Sequence, residues 1–152
     1  MIYIIRHGQT EKNKAKVLQG RSDIPLNDAG RQLVDERLIE MDYGPYEGMD
    51  LNDPAPEVLE FFRDFVHNPE PEGMEPLRDI IARLGSFLEE IRPEAERGNI
   101  LVSTHAIAMK GALEYLTPDS HGSCWSKYIG NCAVYSAEII PGSGWNVPVP
   151  VF

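Results

Sequence analysis

Two of the chain's four histidines occupy matching places. His7 follows the apolar run Ile2-Tyr3-Ile4-Ile5, with Arg6 before it and Gly8 after it. His105 closes the run Ile100-Leu101-Val102, in Val102-Ser103-Thr104-His105. Continuous β-branched and aromatic runs read as strands buried on both faces, the pattern of a parallel sheet. Ligands of open α/β sheets bind beyond the carboxyl ends of such strands. Two neighbouring parallel strands would therefore set both imidazoles on one rim. Beside them, the planar fork of Arg6 suits a phosphate, and Gly8 lets backbone approach a ligand closely. Together these are the parts of a phosphate pocket in which one imidazole nitrogen could carry a phosphoryl group, which is nucleophilic catalysis. The plainer alternatives are structural strand-end histidines or a two-histidine metal site, and no H-x-x-x-H spacing supports a metal. His67, ending a predicted helix, and His121, in a Ser/Gly loop, are expected to be solvated.

The charge balance agrees with a small anion and excludes a large one. The chain has 152 residues and a net charge of -10, which argues against nucleic acid or an anionic membrane as partner. Residues 1–34 nevertheless carry six bases against three acids, while residues 35–100 carry six against eighteen. The local excess of positive charge surrounds Arg6 and His7. Cys124 and Cys132 are too few for a disulfide framework and form no C-x-x-C pair. No apolar run approaches the roughly 18 residues of a membrane span. A cytoplasmic location with reduced cysteines is expected.

The elements that must position these groups follow from periodicity. Residues 8–27 read as loop. Residues 28–41 are ambiguous between one helical face (Leu33, Val34, Leu38, Met41) and a short strand. Five glycines and prolines make 43–56 a loop. Helices are predicted over 56–67, 75–92 (ended by Pro93) and 107–116, and strands over 2–5, 100–102 and 133–140. The tail 145–152, with Pro148 and Pro150, reads as a sheet edge. This alternation predicts an α/β three-layer sandwich with a mostly parallel central sheet and helices on both faces.

The motifs carry a family resemblance. Arg6-His7-Gly8-Gln9-Thr10-Glu11-Lys12-Asn13 resembles the R-H-G-x-[ST]-x-x-N signature of the histidine phosphatase, or phosphoglycerate mutase-like, superfamily. Gln19 to Gly30 is similar to the following Q-G-x-x-D-x-P-L-[ST]-x-x-G segment, and Glu40 to Gly48 to E-x-x-[FY]-G-x-[WY]-E-G. Leu101 to Ala106 resembles the second-histidine strand, and Asn131-Cys132-Ala133 the N-[CA]-[SA] that opens a later strand. The resemblance implies a metal- and cofactor-independent phosphomonoester hydrolase acting on a small phosphorylated metabolite. In it, His7 becomes phosphohistidine, and Arg6 and His105 hold the phosphoryl oxygens. Asn13 adds a phosphate contact, while Gln19, Gly20 and Ala106 line the substrate side. Glu40 protonates the leaving group, with Glu47 as the competing carboxylate. The alternatives are a catalytically impaired phosphate binder and a phosphoglycerate mutase-type phosphotransferase.

One part of the pattern is missing. Relatives place a helix, a strand and a helix between the Gly30 and Glu40 segments, and that strand ends in S-x-L-x-R-[AS]-x-x-T, whose arginine is a second phosphate clamp. Here only nine residues separate Gly30 from Glu40, against roughly 40 for such a unit. The expectation is one domain, 1–152, internally shortened between about 31 and 39, with the absent strand in mid-sheet beside the first strand. Either the gap is real, repaired by a fused 28–41 helix, re-paired strands or an exchange within a homodimer, or the natural chain is longer. Arg21, Arg31 and Arg37 are equal candidates to replace the missing arginine.

Overall fold

A computed structural model describes residues 1–7, 15, 16, 18 and 34–151. Strand β1 (Ile2–Arg6) lies between β2 (Ile100–Thr104) and β3 (Val134–Ala137), and β6 (Val149–Pro150) flanks β3. The β1–β2 pairing is parallel and in register from Ile2↔Ile100 to Arg6↔Thr104. The β1–β3 and β3–β6 pairings are antiparallel. The α/β architecture expected from sequence is present. Among the described residues, however, the sheet is mixed, with its parallel pairing confined to the two histidine-bearing strands. β1 is alternately buried at Ile2 and Ile4, which fill the core. A separate hairpin joins β4 (Ile139–Ile140) to β5 (Gly144–Trp145).

The location expected for the absent strand must be corrected. β1 already has a strand on each side, so no further strand fits beside it. The open position in register with the site is the outer edge of β2. Leu101 and Ser103 of β2 are exposed, and no described strand pairs with β2 on the side away from β1.

Helix α1 (Pro56–Arg63) is shorter than its apolar spacing predicts. Asp64 leaves the helical region, and its carboxylate accepts bonds from the Val66 and His67 backbone N–H groups, which closes a turn instead. Helix α2 (Leu77–Arg97) is longer than predicted and runs through Pro93. A proline removes its own N–H and crowds the carbonyl four residues back, a cost that neighbouring bonds can offset. Beyond it, buried Ala95, the Arg97 Nε bond to Pro93 O and the Gly98 N–H bond to Glu94 O hold one more turn. The predicted 133–140 strand is split at Glu138, whose N–H donates to Asn146 Oδ1 and whose carbonyl accepts from Asn146 N–H.

Helix α3 (Ala106–Tyr115) packs closely on α2. The approach depends on two glycines. A Cβ at Gly111 would stand 2.6 Å from Ile80 Cγ2, and one at Gly85 would stand 2.4 Å from the Tyr115 ring. Short 3-10 turns occupy Glu36–Leu38 and Gly44–Tyr46, so no fused helix spans the described residues 34–41. No described helix is long and apolar enough to cross a membrane.

Candidate functional site

The parallel register brings the two predicted histidines together. The His7 N–H donates to Thr104 O at 3.0 Å, which extends the ladder one step past β1. The His7 and His105 rings meet edge to face, with centroids 4.8 Å apart and planes at 64°. Burial shifts His105 below the ordinary histidine value. The Glu40 charge opposes that shift, while His7, Arg6 and Arg83 add to it.

Arg6 is fixed by backbone and side chain alike. Its N–H donates to Ala133 O, and its carbonyl accepts from Cys132 N–H. Its Nη1 donates to Ile129 O. Its Nε is buried and has no acceptor among the described residues. An unpaired buried donor is costly, and a guanidinium donor especially so. Asn131 Nδ2 donates to His7 O at 3.4 Å, so the 129–133 segment borders both residues.

Glu40 is 8% exposed and sits at the amino end of α3. Its Oε1 accepts from Met41 N at 2.9 Å, Ala108 N at 3.0 Å and Ile107 N at 3.1 Å. Its Oε2 has one longer bond, 3.3 Å from Ile107 N. His105, the N-cap residue, provides no side-chain cap. Glu40 supplies it from 65 positions upstream, where the helix end favours negative charge. The segment carrying Glu40 is pinned by Arg83 of α2. That guanidinium donates to the carbonyls of Arg37, Ile39 and Glu40 and pairs with Glu75 at 2.7 Å. Thr104 Oγ1 adds a bond to Leu38 O at 2.7 Å.

Three other groups complete the surroundings. Tyr43 is buried beneath the site. Burial raises its hydroxyl well above the usual tyrosine value, with smaller raising contributions from Glu40 and Glu47 and a lowering one from Arg6. Lys110, half-buried on α3, donates to Trp125 O at 2.6 Å and lies 4.7 Å from the Phe65 ring centroid. Burial pulls its ammonium down to about 8, against the opposing charge of Glu40 and with that of Arg6. Glu47 lies on an open cleft of about 590 Å³ formed by residues 45–49 and 53–55, which takes in neither histidine.

Arg6, His7, Glu40, His105 and Ala106 are thus one neighbourhood, with Ala106 opening α3 directly after His105. Asn13, Gln19 and Gly20 lie outside the described residues. Arg37 is turned away, paired with Asp35 at 2.6 Å and Glu90 at 2.9 Å. His67 and His121 are exposed, as expected. Sequence reasoning missed Arg83, Tyr43, Thr104 and Lys110. Only Lys110 left a signal, its spacing of four from Ala106 on a helix.

Comparison with known proteins agrees with this geometry. The model of the histidine phosphatase superfamily (branch 1) matches residues 2–35 and 32–148. A putative phosphoserine phosphatase 2 of Hydrogenobacter thermophilus is 22% identical over 176 positions, covering 88% of this chain and 86% of the relative. A probable phosphoglycerate mutase GpmB of Shigella boydii is 22% identical over 196 positions, covering 96% and 90%. That alignment is longer than the 152-residue chain, so it carries positions of the relative with no counterpart here. The crystal structure of an Entamoeba histolytica phosphoserine phosphatase mutant in complex with phosphoserine superposes with a TM-score of 0.74 at 17% identity, covering 99% of this chain and 94% of that one. Since the matched residues run from the first strand to position 148 and take in both facing histidines, the chain belongs to the histidine phosphatase superfamily, branch 1.

Proposed function

We propose that the chain is a phosphomonoesterase that works through a phosphohistidine on His7. The observation that carries this reading is the meeting of His7 and His105 beside a buried Arg6 Nε without an acceptor. A phosphoryl oxygen is the acceptor that this donor lacks. In the first step a ring nitrogen of His7 forms a bond to phosphorus, and the ester P–O bond breaks. The electron pair leaves on the alkoxide, which takes a proton from Glu40. Glu40 Oε1 is committed to three backbone donors, so the proton is assigned to Oε2. Arg6 and His105 stabilise the charge on the transferring oxygens. Water then gives a proton to the Glu40 carboxylate and attacks phosphorus, the P–N electron pair returns to the His7 ring nitrogen, and inorganic phosphate leaves.

The substrate class that fits is a small phosphate ester. The local positive charge of residues 1–34 supports it, as does the phosphoserine bound by the Entamoeba neighbour. The break of the family match at 32–35 supports an internal shortening there. A chromogenic phosphate ester tests the reading directly. Turnover should be measurable and should vanish in His7→Ala. Equal rates in the two proteins would overturn it. A mutase is separated from a hydrolase by product: inorganic phosphate should accumulate in step with the alcohol.

A further inference from the structure

The sequence lacks the motif of the second phosphate arginine, and Lys110 lies on the helix that begins directly after His105. The described arginines near the 34–40 segment are already committed. Arg37 is paired with Asp35 and Glu90, and Arg83 with Glu75 and three carbonyls. Lys110 makes no carboxylate pair with any described residue. Its partners are a carbonyl and an aromatic face. A cation held partly out of water without a counter-charge is an unfavourable arrangement until an anion arrives.

Its position on α3 points the same way. From Ile107 to Glu114 every other residue is buried, and Lys110 alone is half-exposed. The remaining half-buried residue of that stripe is Ala106, four positions earlier and next to His105. Residues four apart share a helix face. Long helical side chains lean toward the amino end, which here is the end at His105. The charges of Arg6 and Glu40 both reach the ammonium. The Trp125–Ile129 segment ties the two cations together, since Lys110 holds the Trp125 carbonyl and Arg6 the Ile129 carbonyl.

We propose that Lys110 is the second phosphoryl-binding cation of this chain, standing in for the arginine whose motif the sequence lacks. This rests on the phosphate-site reading above. A phosphoryl dianion would then be met by Arg6 on one side and by Lys110 on the other. Lysine differs from arginine here in acting as a point charge rather than a fork.

Calorimetry with inorganic vanadate tests it. Lys110→Met should weaken vanadate binding by about 10- to 100-fold, the range for a lost hydrogen bond to a charged group. Lys110→Arg, which keeps the charge, should stay within a few-fold of the parent chain. Arg21→Ala and Arg31→Ala should bind as the parent does. Unchanged affinity in Lys110→Met, or a larger loss in Arg21→Ala or Arg31→Ala, overturns the proposal. Should Lys110→Met not fold, Lys110→Gln, which keeps a donor for the Trp125 carbonyl but not the charge, takes its place with the same loss expected, and unchanged affinity overturns the proposal. Vanadate binding without ester turnover would sink the hydrolase reading and leave Lys110 to be judged by its own loss.

Discussion

The two histidine-bearing strands are alike in sequence and unlike in support. β1 is laddered on both sides, to β2 and to β3, and carries Arg6 and His7. β2 is laddered on one side only, and its outer edge faces away from any described strand. His7 is therefore placed by the sheet. His105 is placed by side chains: Thr104 on Leu38 O, Glu40 on the first turn of α3, and Arg83 behind Glu40. The position of His7 depends on backbone pairing, whereas that of His105 depends also on the short 37–41 segment. Polar side-chain bonds can position a site residue where its strand has a described partner on one side only.

The largest effects should fall on chemistry. His7→Ala should lower kcat by at least about 10³-fold, as removal of a covalent nucleophile does. His105→Ala should cost about 10²–10³-fold, the range for one charge-stabilising donor. Steady-state kinetics with melting curves separates these losses from unfolding. Comparable losses with intact folds support equal chemical roles despite unequal scaffolds, while a His105→Ala loss confined to KM would assign His105 to binding.

Stability effects should concentrate on the β2 side. Arg83→Met removes the guanidinium from the Glu75 carboxylate and from three carbonyls and should cost about 3 kcal/mol. Glu40→Ala strands the N–H groups of Met41, Ile107 and Ala108 and should cost about 2 kcal/mol. Chemical denaturation measures both. Glu40→Gln keeps an acceptor oxygen, so it should retain most of the stability while losing turnover. If Glu47→Gln is the slower enzyme, the proton donor is Glu47.

A pH effect follows from the same asymmetry. His105 has a folded-state pKa below its unfolded value near 6.5, chiefly through burial. The unfolded chain then binds the proton more readily, so stability rises with pH through this window. The contribution is present above about 6.5 and is lost as pH falls toward the folded value. Urea midpoints at pH 7.5 and 5.5 should differ in that direction, and His105→Asn should reduce the difference. An unchanged slope in His105→Asn would place the acid sensitivity elsewhere.

The sequence was most legible where local pattern and global role agree. Both histidine strands are short continuous apolar runs, and nothing in their surroundings competes with that reading. The helix boundaries were less legible because tertiary bonds decided them: Asp64 closing a turn, and Ala95 burial carrying α2 past Pro93. Arg83 left no signal, and the spacing of Lys110 from Ala106 was a weak one, because isolated bases on helices read as solvated faces. Only the packing shows one bracing Glu40 and the other lacking a carboxylate. The neighbours of β1 were not legible because adjacency in sequence does not fix neighbours in a sheet, and β3 takes the place beside β1.

The smallest expected effect tests the bare edge itself. The far side of the sheet ends in β6, whose Pro150 cannot donate to another strand. β2 has no proline and no charge in Ile100–Thr104, and Leu101 on it is 69% exposed. Such edges invite pairing with other chains, and lysine is a common device against it. Leu101→Lys adds that device without touching the core, so its stability should change by less than about 0.5 kcal/mol. Aggregation on heating, followed by light scattering, should slow. If scattering is unchanged, the outer edge of β2 is not what drives association, and the exposure of Leu101 carries no pairing liability.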